Sequence, residues 1–287
     1  MKTLLQSTFI ALSCSAGFLT VSIPTSRVSA SVTAPRDVFV GQKVAGRTPL
    51  QSIDHSDWNS LLQKYVDQNG QVNYTGWHQS SADRARLQQY LNSLSLGKPA
   101  GSSKAGQLAF WINAYNAITV QGILNVYPTS SIKKHTSKLG GYNIWKGLFL
   151  YVDGQKYSPD HIEHQILRKM NEPRIHFAIV CASIGCPRLL NNAYLPDTID
   201  KQLQINAVDF FSRQQNFRYD AASRTIHLSA LLNWFEADFG GSKAALLQTI
   251  QRWVADANAR QALASGQVSV KYLDYDWNLN DQKSIRR

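Results

Sequence analysis

One long apolar segment runs from Lys104 to Val126 and has the sequence KAGQLAFWINAYNAITVQGILNV. Its apolar residues fall on nearly every side of a helix, so this helix is expected at the centre of the domain. Asn113 and Asn116 interrupt the apolar surface. A buried amide must find hydrogen-bond partners or destabilise the fold. We therefore expect the two asparagines either to brace neighbouring loops or to orient a catalytic group or a substrate carbonyl.

The segments around this helix predict more residues in helices than in strands. Helical patterns cover residues 56–66, 81–93, 159–168, 197–211, 229–239 and 243–254. Strand patterns cover residues 72–74, 148–152, 155–157, 176–180, 217–219, 225–228 and 268–272. Helices and strands do not alternate regularly, which favours an α+β fold over a doubly wound α/β fold. We expect a helix-rich single domain over residues 51–287 with a small, mostly antiparallel sheet.

The first thirty residues have the features of a secretory signal peptide. Lys2 precedes a mostly apolar stretch, and the segment ends at Ala30 in a small-x-small pattern. The mature protein is therefore predicted to be exported, to the periplasm or outside the cell. Cys14 leaves lipidation as an alternative. Residues 31–50 follow as a predicted N-terminal extension without a clear period.

The charge of the chain is basic and dispersed. The 287 residues include 30 Lys and Arg against 19 Asp and Glu, a formal charge of +11. Removing Lys2 and Arg27 with the signal leaves 28 against 19, or +9. This charge suits loose contact with anionic envelope polymers. None of the basic and aromatic signatures of nucleic-acid-binding modules is present, so nucleic acid is not an expected partner.

A second apolar segment carries the candidate chemistry, with the sequence RIHFAIVCASIGCP over Arg174–Pro187. Residues 176–180 predict a short buried strand, which places Cys181 on the loop at its end, where scaffolds present reactive groups. Cys181 is thus a candidate thiol nucleophile. Two structural interpretations stay open: a disulfide between Cys181 and Cys186, which an oxidising compartment permits, or two inert buried thiols.

A thiol nucleophile needs a base, and two histidines are candidates. His164 lies on a helix for which Ser158 is the predicted N-cap. His227 lies on a predicted strand and precedes Asp238, which gives the chain order of papain-like and transglutaminase-like enzymes. Chain order is weak evidence because the same geometry recurs in several orders.

Further polar residues near these candidates have predicted supporting roles. Arg168 lies one helical turn from His164 on the same face, whereas Glu163 points about 100° away from His164. His176 has a structural or substrate-facing role. Ser183 belongs to the cysteine loop, whose donors over residues 182–185 are expected to hold an oxyanion.

A metal site is the other chemistry considered. His161 and His164, three residues apart, could bind zinc together with a cysteine. Neither Cys-x-x-Cys nor His-Glu-x-x-His occurs, so the sequence predicts no metal, and thiol catalysis requires no cofactor.

Four motifs together resemble the family called domain of unknown function 547. They are Phe110–Ala117, Ile162–Arg168, His176–Ser183 with Cys186-Pro187, and Tyr275–Leu279. Members occur in exported bacterial proteins and in plant and animal proteins, and bacterial members have been likened to thiol peptidases with a papain-like core. With the base before the nucleophile, such a core would be permuted.

The resemblance also assigns roles. It implies that Cys181 is the recurrent cysteine and His164 the histidine of a Glu-His pair, with Glu163 as its partner, and it favours His164 over His227. Plant relatives carry serine where Cys186 stands, which implies that a bridge is not essential. Asn113 or Asn116 is the alternative orienting group.

The leading hypothesis is an exported cysteine-nucleophile hydrolase or acyltransferase acting on an amide, peptide or thioester bond. Its substrate is an unidentified peptide or small molecule, and the sequence predicts no oligomeric state. We then expect Cys181 within about 4 Å of His164. The alternative is a noncatalytic envelope binding module with a structural disulfide and a groove lined by Trp111, Tyr115 and Trp145. Thiol-disulfide exchange is a third interpretation, which the absence of Cys-x-x-Cys weakens.

Overall fold

A computed structural model describes residues 37–136 and 143–285 of the chain, so the predicted signal peptide and Cys14 lie outside the described residues. The α-helices are α1 (Ser56–Tyr65), α2 (Tyr74–Gln79), α3 (Ser81–Leu94), α4 (Lys104–Val126), α5 (Ile144–Gly147), α6 (Pro159–His161), α7 (Ile199–Ser212), α8 (Ala230–Trp234), α9 (Lys243–Ile250), α10 (Ala257–Ser265) and α11 (Gln282–Ile285). The strands are β1 (Val38–Val40), β2 (Thr48–Pro49), β3 (Gly97–Lys98), β4 (Leu148–Val152), β5 (Gln155–Tyr157), β6 (Phe217–Asp220), β7 (Thr225–Ser229) and β8 (Ser269–Leu273). This confirms the helix-rich α+β fold.

Helix α4 occupies the centre, with the bounds that its apolar pattern predicts. The side chain of Ser103 caps its first turn by accepting a hydrogen bond from the amide of Gly106. Most of the helix is buried, including Phe110 and Ile118. Within the described residues, no helix is both long and apolar enough to cross a bilayer.

The strands form three small sheets rather than one. Their strand orders are β1-β4-β5, β2-β3 and β6-β7-β8. The hairpins β4-β5 and β6-β7 are antiparallel, as predicted, whereas β1-β4, β2-β3 and β7-β8 are parallel. The expected mostly antiparallel sheet is therefore wrong in this respect. A hairpin has a local turn signal, but a parallel partner comes from a distant part of the chain.

The predicted N-terminal extension contributes to the fold in its described part. Val38–Val40 pairs with Leu148–Leu150 of β4, and Thr48 pairs with Gly97. Val40 and Leu50 are buried. Residues 37–50 therefore pack with the domain that they precede.

Two hydrophobic cores meet along the cysteine segment. The first surrounds α4, and the second lies among α7, α9 and the β6-β7-β8 sheet. Phe177 belongs to the second core, whereas Ala178, Ile179 and Val180 belong to the first. The chain thus passes from one core to the other just before Cys181.

The strand predicted over residues 176–180 is absent from this described segment. Pro173–Phe177 forms a 3-10 helix, and the residues that follow lie in no sheet. Glu172 caps this helix by accepting from the amide of Arg174, and Pro173 takes its first position. A short apolar run does not distinguish a strand from other buried segments. The strand predicted at residues 72–74 is likewise reduced to isolated bridges at Val72.

Candidate functional site

A cavity of about 190 Å³ lies beside the cysteine segment. Its wall includes Cys181, Cys186, Glu163, His164 and His176. These five residues come from two separate stretches of chain, and the structure brings them to one place. All five are among the site residues predicted from the sequence.

The two cysteines form a disulfide in the structure. The Oγ of Ser183 lies 3.0 Å from the Sγ of Cys181 and 3.4 Å from that of Cys186. The hydroxyl of Tyr275 lies 3.3 Å and 3.0 Å from the same two sulfurs. Two hydroxyls therefore flank the sulfur pair, and thiol chemistry at Cys181 requires reduction of this bond.

The C-terminal segment holds the cysteine loop by its backbone. The amide of Ile184 donates to the carbonyl of Asn278, and the amide of Gly185 donates to that of Asp276, both at 2.8 Å. A Cβ on Gly185 would lie 2.9 Å from the backbone nitrogen of Asp276, so this approach requires glycine. Ala182 has φ +61°, a conformation that is costly for alanine. These two amides are occupied, so the predicted oxyanion donors of the loop are wrong at Ile184 and Gly185.

Glu163 and His164 lie on a π-helical turn that places them beside the cavity. After α6, Ile162–Leu167 forms a π-helical turn, a feature that is frequent at functional sites. Ser158 caps the start of this helix, as predicted, by accepting from the amide of His161. Both Glu163 and His164 line the cavity.

Glu163 is half-buried, and desolvation raises its pKa to about 7. The hydroxyl of Tyr115 donates to Oε2 of Glu163 at 3.2 Å, which partly opposes this shift. The carboxyl group can therefore exchange a proton near neutral pH.

His164 has one ring nitrogen occupied by Arg168. A guanidinium only donates hydrogen bonds, so the 3.2 Å contact makes Nδ1 of His164 the acceptor. The neutral ring then carries its hydrogen on Nε2. Burial lowers the pKa of His164, Arg168 adds to the shift, and the charge of Asp160 opposes it. His164 is thus arranged to donate from Nε2 rather than to accept a proton.

His176 forms a pair with Asp238. Its Nε2 lies 2.7 Å from Oδ2 of Asp238, and its ring stacks on Phe235 with centroids 4.1 Å apart. Arg168 binds the same carboxylate through two nitrogens, at 2.6 and 2.8 Å. Within the described chain, Nδ1 of His176 has no hydrogen-bond partner. This is the carboxylate–imidazole arrangement that orients a base in catalytic triads.

The protonation states of this pair follow from its surroundings. Burial lowers the pKa of His176, although the charge of Asp238 opposes the shift. Burial alone would raise the pKa of Asp238, but hydrogen bonds from His176 and Arg168 hold it below its usual range. A neutral ring beside a carboxylate leaves Nδ1 as the basic nitrogen.

The predicted contact between Cys181 and His164 is not a hydrogen bond in this state. Both side chains line the cavity, yet neither sulfur has a histidine among its described hydrogen-bond partners. In the disulfide form the sulfurs face Ser183 and Tyr275 instead.

Asn113 and Asn116 brace loops and do not orient an imidazole. Asn113 bonds with the backbone of Tyr194 through both amide atoms, at 2.7 and 2.9 Å. Asn116 bonds with the carbonyl of Ala178 at 3.0 Å and the amide of Val180 at 2.9 Å. The bracing interpretation is therefore correct, and the orienting one is wrong.

Residues 99–211 match the model of the family described as Protein of unknown function, DUF547. This part of the chain is similar to the DUF547 family. No curated protein matches the chain, and neither does any solved structure. The papain-like core therefore stays a prediction.

The DUF547 match contains the cysteines, Glu163, His164 and His176, whereas Asp238 lies beyond it. In the sequence, chain order links Asp238 only to His227. His227 is on β7 and does not line the cavity. The pairing of Asp238 with His176 has no local signal, because 62 positions separate the two residues.

Aromatic side chains form most of the remaining cavity wall. They are Tyr115, Trp145, Trp234, Phe235, Tyr275 and Trp277. Tyr115 and Trp145 were predicted for a groove, whereas Trp111 packs inside the core against Phe110 and Tyr157. Trp234 and the Tyr275-Trp277 pair were missed, although the latter lie in a family motif.

No metal centre accompanies the cavity in the part of the chain that the structure describes. There, no group of three or more His, Cys, Asp or Glu side chains could hold a metal ion.

Proposed function

We propose that the chain is an exported cysteine-nucleophile hydrolase or acyltransferase acting on an amide, peptide or thioester bond, active when its disulfide is reduced. The observation that carries the proposal is that Cys181 and His176 line one cavity, while Asp238, outside that cavity wall, pairs with the His176 ring. Glu163 adds a group that titrates near neutrality. The signal pattern of residues 1–30 supports export to the periplasm or outside the cell.

The reaction begins with reduction. Two equivalents of a small thiol, or one dithiol, supply two electrons and convert the Cys181–Cys186 disulfide into two thiols. His176 takes the proton of Cys181 at Nδ1, and the thiolate attacks the acyl carbon, which forms a carbon–sulfur bond. The scissile bond breaks when the leaving amine or thiol receives that proton. Water or an acceptor amine then displaces Cys181 and releases the acyl group.

Other polar groups of the cavity have matching roles. The Nε2–H of His164 and the hydroxyl of Tyr275 can donate to the oxyanion, in place of the occupied amides of the cysteine loop. Protonated Glu163 can donate a hydrogen bond to the leaving group near pH 7, while the transferred proton comes from His176. The base is thus reassigned from His164 to His176.

Alkylation rates test the proposal. Iodoacetamide should label Cys181 of the reduced protein faster than a free model thiol near neutral pH, since an imidazole partner raises the thiolate fraction. His176→Ala should remove this excess, and His227→Ala, on β7 outside the cavity, is the matched control. Labelling no faster than the model thiol would overturn the proposal. Loss of the excess in His164→Ala alone would restore His164 as the base.

One observation favours a second function. The disulfide is intact in the structure, and its cavity has an aromatic wall in which Trp234 is 48% exposed. A noncatalytic envelope binding module would use this cavity in the oxidised state. Slow labelling of Cys181 together with ligand binding to the oxidised protein would favour this alternative.

A further inference from the structure

We propose that the aromatic cavity binds an alkylammonium group, so that its ligand carries a positively charged amine. The inference names the ligand class of the cavity described above. It rests on the proposed function only where it makes that ligand a substrate.

The rings of the cavity wall form a continuous aromatic surface. Ring centroids of Tyr275 and Trp277 lie 4.5 Å apart, and those of Trp234 and Tyr275 lie 4.8 Å apart. Trp145 extends the surface, with its centroid 6.0 Å from that of Trp277. The face of each ring carries negative electrostatic potential, and cages of such faces recognise quaternary ammonium groups.

The formally charged residues of the wall are acidic. Asp160 and Glu163 line the cavity, and no Lys or Arg does so within the described residues. The pKa values of His164 and His176 are both lowered by burial, so these rings are neutral at pH 7. This acidic and aromatic wall belongs to a chain with a formal charge of +11.

The basic side chains nearest the wall already have partners. Lys146 lies 3.5 Å from a carboxylate oxygen of Asp160, and Arg168 binds Asp238. The Nζ of Lys133 lies 4.9 Å from the ring centroid of Trp277. One ring of the wall therefore already holds an ammonium group of the chain itself, which is the interaction proposed for the ligand.

Other ligand chemistries fit this wall less well. A carboxylate or phosphate would meet two acidic groups and, among the residues that the structure describes, no lining Lys or Arg. A neutral alkyl group would gain apolar burial alone, whereas an alkylammonium of the same shape adds attraction to ring faces and to Glu163.

The acidic group links binding to pH. A bound cation favours the ionised form of Glu163, whose pKa is about 7, so affinity should rise between pH 6 and pH 8. The groups around Glu163 come from several elements: Tyr115 on α4, Asp160 and Arg168 on its own helical segment, Asp238, and Tyr275 of the C-terminal segment. Arg168 and Asp238 keep their charges across this range, because their ion pair raises the pKa of Arg168 and holds the pKa of Asp238 below its usual range.

Calorimetric titration of the full-length oxidised protein tests the inference, with choline and its neutral isostere 3,3-dimethylbutan-1-ol as probes. Choline should bind about tenfold more tightly at pH 8 than the alcohol, and more tightly than at pH 6. Glu163→Gln should abolish the pH effect. Trp234→Ala should weaken choline binding about fivefold, whereas Phe39→Ala, which removes a similarly exposed ring on β1, should not.

Equal binding of the two probes, or no binding of choline, would overturn the inference. Because the oxidised protein has no free thiol at Cys181, this experiment is independent of the alkylation assay. Each proposal can therefore fail while the other stands.

Discussion

Asp238 is the residue that connects the candidate base to the rest of the site. It accepts from His176 on one side and from Arg168 on the other, and Arg168 in turn donates to His164. A single carboxylate thus fixes the tautomers of two imidazoles. This chain of contacts gives the two histidines different chemistry although they line the same cavity.

Replacing the carboxylate of Asp238 should change both the pKa of His176 and the reactivity of the Cys181 thiol. In Asp238→Asn the charge that supports protonation of His176 is lost, so the pKa of His176 should fall further below its usual value. Labelling of reduced Cys181 should slow by about tenfold or more. NMR titration of the His176 ring and alkylation kinetics measure the two effects. Asp209→Asn is the control, since Asp209 pairs with Arg213 outside the cavity. If Asp238→Asn changed neither the pKa of His176 nor the labelling rate of Cys181, the account would be refuted.

His55 should make stability depend on pH. It is buried, its Nδ1 lies 2.7 Å from the hydroxyl of Tyr90, and burial lowers its pKa to about 4. Between pH 6.5 and pH 4, the unfolded chain binds more protons than the folded chain. The free energy of unfolding should therefore fall as the pH is lowered through this window, by up to about 3 kcal/mol.

Urea unfolding at pH 7 and pH 4.5 measures the effect of His55. His55→Gln should reduce the pH dependence, while His161→Gln, at an exposed histidine, should leave it unchanged. If the free energy of unfolding fell by the same amount between pH 7 and pH 4.5 in the unchanged protein and in both variants, this prediction would be contradicted.

At the scale of elements, α4 supports the site through the amide of Asn116. That side chain holds the carbonyl of Ala178 and the amide of Val180, the residues that lead to Cys181. The central helix therefore positions the nucleophile segment without contributing to the chemistry. The segment needs this support because, in the described part of the chain, no strand pairs with residues 178–180.

Removing the brace should destabilise the fold. Asn116→Ala leaves two buried backbone groups without partners, which should lower the free energy of unfolding by about 2–4 kcal/mol. Gln121→Ala, which removes an exposed amide from the same helix, should change it by less than about 0.5 kcal/mol. Denaturant unfolding measures the free energy of unfolding of both variants. Similar losses in the two would show that Asn116 does not brace the segment.

Elements with local signals could be predicted from the sequence. The bounds of α4, the two hairpins and the Ser158 cap all follow from periodicity and from turn or capping residues nearby. The segment before Cys181 could not be predicted, because its backbone at Ala178 and Val180 bonds with the side chain of Asn116 on α4 rather than with a strand. Parallel strands such as β1 and β8 have partners far away in the sequence, which no local pattern indicates.

At the scale of the whole molecule, the site lies where two cores and the C-terminal segment meet. The site residues that cluster in the family motifs, including Cys181, His164 and Glu163, could be predicted from the sequence. Asp238 and the exposed Trp234 could not be predicted, because Asp238 meets His176 and Trp234 meets Tyr275 only through contacts between distant parts of the chain.

Gly185, where the cysteine loop contacts the C-terminal segment, should not tolerate a side chain. Gly185→Ala would place a Cβ against Asp276 and should destabilise the fold by about 1–3 kcal/mol and loosen Tyr275. Gly101→Ala is a useful comparison because its φ is +77° but its added Cβ would meet nothing within 4 Å. Thermal unfolding should show a larger loss at Gly185, and an equal or smaller loss there would argue against a tight junction.

Trapping an acyl-enzyme tests the nucleophile most directly. The Cys186→Ser variant cannot form the disulfide and keeps Cys181 available. Mixed with p-nitrophenyl acetate near neutral pH and quenched in acid, it should carry one acetyl group on Cys181 by mass spectrometry. Acylation should be faster than that of a free model thiol, slower when His176→Ala is added, and absent from that position in Cys181→Ala. If Cys181 acquires the acetyl group no faster than the model thiol, Cys181 is not an activated nucleophile and the account is wrong.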